Sequence, residues 1–346
     1  MARMCVLGGG LVGRFVASTL HTRGHVVRLV DAESIPDLSS EIVLIQSQIN
    51  ASNLVDYVSD VDVVINCLPG RIGHSIRENL VSINGMRVAD LAFTAEDPRS
   101  LDQLAKNSQA TLIYDVGIAP GLSNAILKAA ETEWGTLDSG KIWVGGNPQK
   151  PDDEWSYMAP FSPSDVIEEY TRPARIRRSG RNVTEPALSE RHLVSVPGYG
   201  SMEAFLTDGV RSLLNTIDSQ ELLEYTVRWP GHIDRYLAGN DSEDELIAAW
   251  QFDSGRPEFT WLSVLVTKGQ QSWKWDIIDE GMNGWSSMAR TTGLVTVEVA
   301  EMLADDTITD VGVMPPERLG EEKNLLDRVV DAMRRNGVKI ESNIDS

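Results

Sequence analysis

The feature that most constrains this chain is a glycine-rich turn close to its start. A short apolar strand predicted over residues 4–7 runs directly into Gly8-Gly9-Gly10-Leu11-Val12-Gly13, and a helical pattern follows. A second predicted strand, residues 26–30, ends in Asp31, which lies 18 positions beyond Gly13. This order of strand, glycine turn, helix and strand predicts the first βαβ unit of a doubly wound parallel sheet, the Rossmann fold.

Each glycine of the turn has a physical role. The first allows a tight turn, Gly10 lets the backbone approach a pyrophosphate, and Gly13 lets the helix pack closely on the strand. The helix start offers free N–H groups to phosphate oxygens. Asp31 is expected to bind an adenosine ribose and to repel a 2′-phosphate, which predicts NAD rather than NADP. The predicted contacts here are Gly8, Gly10, Leu11, Val12, Gly13 and Asp31.

Further strands of the parallel sheet are predicted downstream, at residues 42–45, 61–66, 87–91 and 111–114. Ligands of such sheets collect at the carboxyl ends of the strands. The cofactor contacts expected at that edge are Cys67, Leu68, Pro69, Gly70, Asp90 and Gly117. Cys67 has two interpretations, a reactive thiol or a small residue beside the cofactor, and the second is favoured.

Composition excludes several classes of protein. The 346 residues fit two domains, and a net charge of −20 opposes nucleic-acid backbones and anionic membranes as partners. No apolar run reaches the ~18 residues that a bilayer crossing requires. Two cysteines exclude a disulfide scaffold and a cysteine-rich zinc site, and no metal is predicted. The start lacks a cleavable signal pattern, so a reduced, cytoplasmic protein is expected.

The middle of the chain changes character after a predicted helix at residues 122–134. Its candidate strands include two hairpins, and Trp261, Trp273 and Trp275 alternate with polar residues as in a sheet packed on one face. This pattern predicts an inserted α+β domain on a mostly antiparallel sheet. The expected division is an NAD-binding domain over residues 1–122 plus 286–346, and a substrate domain over residues 123–285.

Several sequence blocks resemble a known family. The loop at residues 115–124 (DVGIAPGLSN) resembles the turn after the last nucleotide-domain strand in the saccharopine dehydrogenase-like superfamily. Other blocks are similar to its L-lysine 6-dehydrogenase branch, and these are residues 143–146, 167–175, 227–232, 286–293 and 312–317. One segment departs from that branch, since residues 237–256 are short and acidic where a longer, less charged insertion is expected.

The resemblance implies NAD-dependent oxidation of the side-chain amine of L-lysine. The product would be a semialdehyde, which cyclises to piperideine-6-carboxylate, with release of ammonia. The resemblance also implies a homodimer formed through the substrate domain, and C-terminal helices folded back onto the NAD-binding domain.

That chemistry requires a neutral amine and therefore a proton acceptor. A free lysine amine has a pKa of ~10.4, so deprotonation at pH 7 costs about 4–5 kcal/mol. The candidate catalytic residues are His232, Asp90 and Asp115. Each has a structural alternative, because a histidine after Pro230-Gly231 often packs or caps, and aspartates at strand ends often cap the following turn.

The substrate carboxylate calls for a guanidinium, which binds it with two parallel hydrogen bonds. Arg172 and Arg228 are the candidates, both inside family blocks. Asn124, Ser287 and Thr291 are further candidate substrate contacts, and Asn124 has the alternative role of a helix cap.

Two other functions remain open. One is a secondary-amine dehydrogenase or reductase of the same superfamily, acting on saccharopine or a carboxylated polyamine, which would need a second carboxylate clamp. The other is a non-catalytic NAD-binding protein.

Overall fold

The computed structural model describes residues 1–35 and 38–345, and the chain divides into two compact units. The first, the parallel unit, comprises Met1–Gly117 and Thr292–Pro316. The second, the mixed-sheet unit, comprises Ile118–Thr291 and the residues from Glu317 onward.

The helices and strands are numbered in chain order. The strands of the described residues are β1 (Arg3–Leu7), β2 (Val26–Asp31), β3 (Val43–Gln46), β4 (Val63–Asn66), β5 (Arg87–Asp90), β6 (Thr111–Tyr114), β7 (Leu137–Pro148), β8 (Ala174–Arg178), β9 (Arg181–Glu185), β10 (His192–Val196), β11 (Gly200–Leu206), β12 (Ser219–Arg228), β13 (Glu258–Lys268), β14 (Gln271–Asp279), β15 (Gly312–Met314) and β16 (Lys339–Asp345). The α-helices are α1 (Leu11–Thr22), α2 (Leu54–Val58), α3 (Gly70–Val81), α4 (Asp102–Asn107), α5 (Leu122–Trp134), α6 (Pro163–Thr171), α7 (Leu213–Thr216), α8 (His232–Leu237), α9 (Glu243–Ala249), α10 (Ser287–Ala304), α11 (Arg318–Glu321) and α12 (Lys323–Arg335).

The parallel unit is a doubly wound sheet. Its strand order is β15-β6-β5-β4-β1-β2-β3, and every neighbouring pair is parallel. The chain order reverses between β1 and β4, which pair from Met4 with Val63 to Leu7 with Asn66. In folds of this type the reversal opens a ligand-binding crevice at the carboxyl ends of these two strands. The predicted α/β fold class is confirmed.

Helix α1 covers the sheet because its apolar residues recur at helical spacing. Phe15, Val16 and Leu20 are buried on this face. Helix α10 packs against α1 at Gly293, where a Cβ atom would lie 2.4 Å from the Phe15 ring. A glycine at this position therefore lets two helices approach closely.

The mixed-sheet unit is built on a nine-stranded sheet. Its main path runs β10-β11-β12-β7-β13-β14-β16, and the β8–β9 hairpin joins at β12. All its pairings are antiparallel except that between β7 and β12. The mostly antiparallel second sheet predicted from the alternating tryptophans is therefore present.

The C-terminal segment lies elsewhere than predicted. Residues 286–346 were expected to return to the NAD-binding domain, but only Thr292–Pro316 joins the parallel unit. Helix α12 packs against α5, and β16 pairs with β14 from Ser272 with Asp345 to Ile278 with Lys339. Helix α11 also packs closely against α5, because a Cβ atom at Gly320 would lie 2.0 Å from the Ala125 carbonyl oxygen. Strand β16 is mostly exposed and polar. Its sequence therefore lacks the alternation of apolar and polar residues from which a strand is predicted.

Within residues 1–35 and 38–345, no helix has both the length and the hydrophobicity that crossing a membrane demands.

Candidate functional site

The glycine turn of the parallel unit has the geometry that a dinucleotide requires. Gly8 has a φ of +96°, and a Cβ atom there would lie 2.8 Å from the Cys67 carbonyl oxygen. A Cβ atom at Gly13 would lie 1.9 Å from the Gly8 carbonyl oxygen, whereas one at Gly10 would meet no atom within 4 Å. The fold itself therefore requires Gly8 and Gly13, while Gly10 leaves its surface open to a ligand.

The start of α1 is suited to a phosphate. Gly10 precedes the helix without a side-chain cap, and the first turn carries no acidic residue. The N–H groups of Leu11 and Val12 are thus available to an anion at the positive end of the helix dipole. Asp31 is held beside this turn, because its Oδ2 accepts a 2.5 Å hydrogen bond from Gly9 N and its Oδ1 accepts one from Glu33 N.

The neighbouring strand end adds a second helix start. Helix α3 begins at Gly70, directly after Pro69, and it also lacks a side-chain cap. Asn66, fully buried at the end of β4, has an Nδ2 that donates to no group among the described residues. A buried donor without a partner at this crevice fits a polar ligand. The residues present thus fit a dinucleotide.

Cys67 lies between the two helix starts, close to the glycine turn. Its Cβ would be 3.4 Å from a Cβ atom at Gly13. Burial, with a smaller contribution from Asp90, raises the pKa of the Cys67 thiol well above its usual value. The thiol is therefore neutral and a poor nucleophile, which favours the interpretation of a small residue beside the cofactor.

Asp90, a predicted catalytic residue and cofactor contact, is engaged in a fully buried ion pair. Its Oδ2 accepts a 2.6 Å hydrogen bond from Arg77 Nε, and its Oδ1 accepts from Arg77 Nη2 and from Ala92 N. Arg77 also donates to Thr94 and to the Ala92 carbonyl. Both Asp90 oxygens thus hold the chain after β5, so we assign it a structural role instead of the predicted catalytic one.

Asp115 and Gly117, the other predicted residues of this edge, follow β6. Asp115 is buried with a φ of +54°, and its charge contributes to raising the pKa of Arg77. It therefore belongs to the same buried charge cluster as Asp90. Gly117 is buried and is the last residue of the first segment of the parallel unit.

The mixed-sheet unit holds a buried polar row on one face of β12. Residues two apart in a strand share a face, so Glu224, Thr226 and Arg228 point the same way. All three are at most 3 % exposed. Such a row in a central strand calls for a functional or structural explanation, because buried polar groups destabilise a fold unless they are paired.

Arg228 is a buried cation surrounded by phenols. Its Nε donates to Tyr170 Oη at 2.8 Å, its Nη2 to Tyr157 Oη at 3.3 Å, and its Nη1 to the Val227 carbonyl. The guanidinium carbon lies 4.5 Å from the centre of the Tyr157 ring. Burial opposes the charge, but the two tyrosines and Glu169 outweigh this and raise the pKa of Arg228. In the described part of the chain, Arg228 forms no ion pair with a carboxylate.

His232 continues this network and has both ring nitrogens engaged. Nδ1 lies 3.0 Å from the Trp155 carbonyl, which only accepts, so Nδ1 carries the hydrogen. Nε2 therefore accepts from Tyr170 Oη, 3.1 Å away. Burial and the charge of Arg228 lower the pKa of His232 to about 3. A histidine held in this way is a poor proton acceptor, so we assign it the positioning of Tyr170 instead of the predicted role of base.

An aromatic cluster surrounds these groups. Trp250 packs edge-on against Trp155 and Tyr157, with ring centres 5.3 and 5.5 Å apart. Trp250 is fully buried and follows α9. It belongs to residues 237–256, so this segment supplies part of the wall around the polar centre, which we define as Arg228, Tyr157, Tyr170, His232 and Glu169.

The other predicted substrate contacts have internal partners. Arg172 pairs with Glu168 one helical turn earlier. Asn124 accepts from Gly121 N at the start of α5 and donates to Ser212 and Glu317, which is the capping alternative. Ser287 donates to the Glu258 carboxylate, and Thr291 donates to the Ser287 carbonyl. Of the five predicted contacts, Arg228 is the one that the polar centre contains.

The sequence alone did not indicate that Tyr157, Tyr170 and Glu169 are neighbours of Arg228. Tyr157, Tyr170 and Glu169 come from segments that are distant from β12 in the sequence. A signal for part of the centre was present, because polar residues at positions 224, 226 and 228 alternate with Tyr225 and Val227.

Glu224 gives the stability a predictable dependence on pH. Burial, with the like charge of Glu169, raises the pKa of Glu224 to about 8 from 4.5. The folded state thus binds the proton more tightly, so its stabilisation is present below pH 4.5 and is lost as the pH rises through about 8. Denaturant titrations should show a free energy of unfolding that falls over this range, and falls less in Glu224→Gln. Equal slopes in the two proteins would contradict the assignment.

Among the residues that the structure describes, no group of three or more His, Cys, Asp and Glu side chains is arranged to hold a metal ion.

These features define a class of protein, a doubly wound dinucleotide fold joined to a mixed-sheet unit. Residues 117–242 match the family model described as the saccharopine dehydrogenase C-terminal domain. The chain has the fold of apo saccharopine dehydrogenase (L-Glu forming) from Saccharomyces cerevisiae, with a TM-score of 0.76, 14 % identity and full coverage of both chains. The family match is thus confined to residues 117–242, and the structural likeness shows a shared fold.

A curated plant relative matches more weakly. The α-aminoadipic semialdehyde synthase of Arabidopsis thaliana is 21 % identical over 159 residues, which are 44 % of this chain and 15 % of that protein. The chain therefore corresponds to a small part of that relative.

Proposed function

We propose that this protein is an NAD-dependent dehydrogenase that oxidises the ε-amine of L-lysine. The product is the semialdehyde, which cyclises to piperideine-6-carboxylate, and ammonia is released. The support comes from the superfamily of amino-acid dehydrogenases, from the glycine turn with Asp31, and from the polar centre around Arg228.

The observation that carries this proposal is the buried Arg228 without a carboxylate partner. A buried charge is normally compensated by an opposite charge, and a guanidinium binds a carboxylate with two parallel hydrogen bonds. Glu169 acts on Arg228 through its charge without an ion pair, and the substrate carboxylate supplies the direct hydrogen-bonded partner. Arg172, the second predicted clamp, is already paired with Glu168. Of the two predicted clamps, Arg228 alone has no carboxylate in an ion pair among the described residues, which favours a substrate such as lysine over saccharopine, which carries more carboxylates.

The remaining chemistry concerns protons. Oxidation converts an alkylammonium, NAD and water into an aldehyde, NADH, an ammonium ion and one proton, so the enzyme must accept that proton. Bound at the glycine turn, NAD supplies the hydride acceptor. Asp90 and His232 are engaged in hydrogen bonds, and we assign the proton-accepting role to Glu169, whose charge acts on Arg228 and on both tyrosines. The aromatic cluster packs against the methylene chain of the substrate.

The decisive experiment follows nicotinamide absorbance with purified protein, NAD and L-lysine at about pH 9–10, where more of the amine is neutral. NAD should be reduced, and NADP should not, because Asp31 repels its 2′-phosphate. Reduction with saccharopine but not with lysine would contradict the substrate and indicate the secondary-amine alternative. Binding of NAD without reduction by any amine would indicate a non-catalytic NAD-binding protein.

Replacing Arg228 by lysine tests the carboxylate clamp. We expect KM for L-lysine to rise about 10–100-fold, because the planar bidentate contact is lost while the positive charge remains. Cadaverine, which is lysine without its carboxylate, should react equally well with both enzymes. Arg191→Lys is the matched control, since Arg191 lies at the surface in pairs with Glu203 and Asp234. An equal loss with lysine and cadaverine would contradict the clamp.

The homodimer and the cytoplasmic location remain predictions of the resemblance and of the sequence. Light scattering on the purified protein measures the first, and a dimer mass is expected.

A further inference from the structure

A chain of four oxygen-bearing side chains crosses the polar row of the mixed-sheet unit. Thr207 Oγ1 lies 2.5 Å from Glu224 Oε2 and 2.8 Å from Thr226 Oγ1. Thr226 in turn is hydrogen-bonded to Glu169 Oε1. A buried carboxyl of β12 is thus connected through two hydroxyls to a partly exposed carboxyl of α6.

The number of hydrogens in this chain is informative. It contains three oxygen–oxygen hydrogen bonds, but the two threonines supply two hydroxyl hydrogens, and ionised carboxylates only accept. With both acids ionised, one of the three bonds would lack a hydrogen. A single proton on either carboxyl completes all three. The geometry therefore describes a chain that holds one proton.

The groups around Glu224 favour the protonated form of its carboxyl. Its Oε2 also accepts from Gly209 N at 3.2 Å, and a Cβ atom at Gly209 would lie 2.4 Å from its carboxyl carbon. The charged groups facing it are Glu169 of α6 and Asp208 after β11, and Asp208 is paired with Arg175 of β8. Arg228 lies on the same face of β12, beyond Thr226. Like charges and burial together disfavour ionisation of Glu224.

We propose that Glu224, Thr207, Thr226 and Glu169 form a proton relay that takes up the proton released at the amine site and stores it on Glu224. The substrate end of this relay rests on the proposed function. Uptake starts with Glu224 ionised, its state above about pH 8, and the chain with all three hydrogen bonds complete is the state after uptake. An N–H bond of the substrate ammonium breaks and an O–H bond forms on Glu169. The hydrogens then shift by one position through Thr226 and Thr207, which leaves Glu169 ionised and Glu224 protonated. One proton leaves the substrate and one arrives on Glu224, so charge and atoms balance.

The storage end is tested on the ligand-free protein by infrared difference spectroscopy of protonated carboxyl groups. A band that is absent from Glu224→Gln should be present at pH 7 and disappear with a midpoint of about pH 8. Thr226 forms no hydrogen bond with the Glu224 carboxyl, which is bonded to Thr207. Thr226→Val should nevertheless shift this band, because Thr226 is hydrogen-bonded to Thr207. Thr226→Ser should restore the band. A missing Glu224 band, or one that Thr226→Val leaves unchanged, would overturn the relay.

The substrate end is tested by turnover. Thr207→Val should lower kcat about 10–100-fold with little change in KM, a typical loss for proton transfer, and Thr207→Ser should recover most of it. The rise of kcat with pH near 8 should disappear in Glu224→Gln. An active enzyme with unchanged kcat in Thr207→Val would refute the relay. If no amine is oxidised while the infrared results hold, the proposed function fails and the proton-storing chain stands.

Discussion

Replacing Gly10 by aspartate is expected to abolish NAD binding and to leave the fold intact. A Cβ atom at Gly10 meets no protein atom within 4 Å, so the new side chain has room in the protein. It would occupy the approach of the pyrophosphate and place a negative charge at the start of α1, where the dipole favours an anion. Calorimetry should show that Kd for NAD rises at least about 100-fold, which corresponds to about 2.7 kcal/mol.

Gly13→Ala provides the contrast. Its Cβ atom would lie 1.9 Å from the Gly8 carbonyl oxygen, so the turn itself must change shape. NAD binding should again be lost, but now with a lower Tm, whereas Gly10→Asp should keep Tm within about 2 °C of the parent protein. Tight NAD binding by Gly10→Asp would remove the basis for the redox function.

The parallel unit was predictable because its signals are local. Strands that are buried on both faces read as short apolar runs, and the glycine turn fixes the first crossover. Strand β6 of this unit and helix α5 of the mixed-sheet unit have the predicted bounds, residues 111–114 and 122–134. The destination of the C-terminal segment was not predictable, because the pairing of β16 with β14 depends on backbone hydrogen bonds along a polar edge strand rather than on an apolar pattern.

The polar centre was predictable only in part, and for a similar reason. Arg228 is the one basic residue of β12, but its partners Tyr157 and Tyr170 become neighbours only after folding. The sequence also cannot show which charges are already paired. Asp90 occupies the expected end of a strand, yet its partner Arg77 is contributed by α3, 13 positions earlier.

The pairing of Asp90 with Arg77 leads to the second large effect, a severe loss of stability in Asp90→Ala. Both side chains are fully buried, and the substitution leaves the guanidinium without its counter-charge and Ala92 N without its acceptor. Removing one member of a buried ion pair typically destabilises a protein by about 3–5 kcal/mol. Denaturant unfolding of the ligand-free protein should show a loss of this size.

A double variant distinguishes this structural role from catalysis. Asp90→Leu combined with Arg77→Met removes both charges and keeps apolar volume, so it should be more stable than either single variant. If Asp90 were instead a catalytic base, Asp90→Asn would unfold like the parent protein and lose turnover alone. The buried ion pair predicts a different result. The ligand-free Asp90→Asn protein should have a lower free energy of unfolding than the parent protein, because an amide cannot neutralise Arg77.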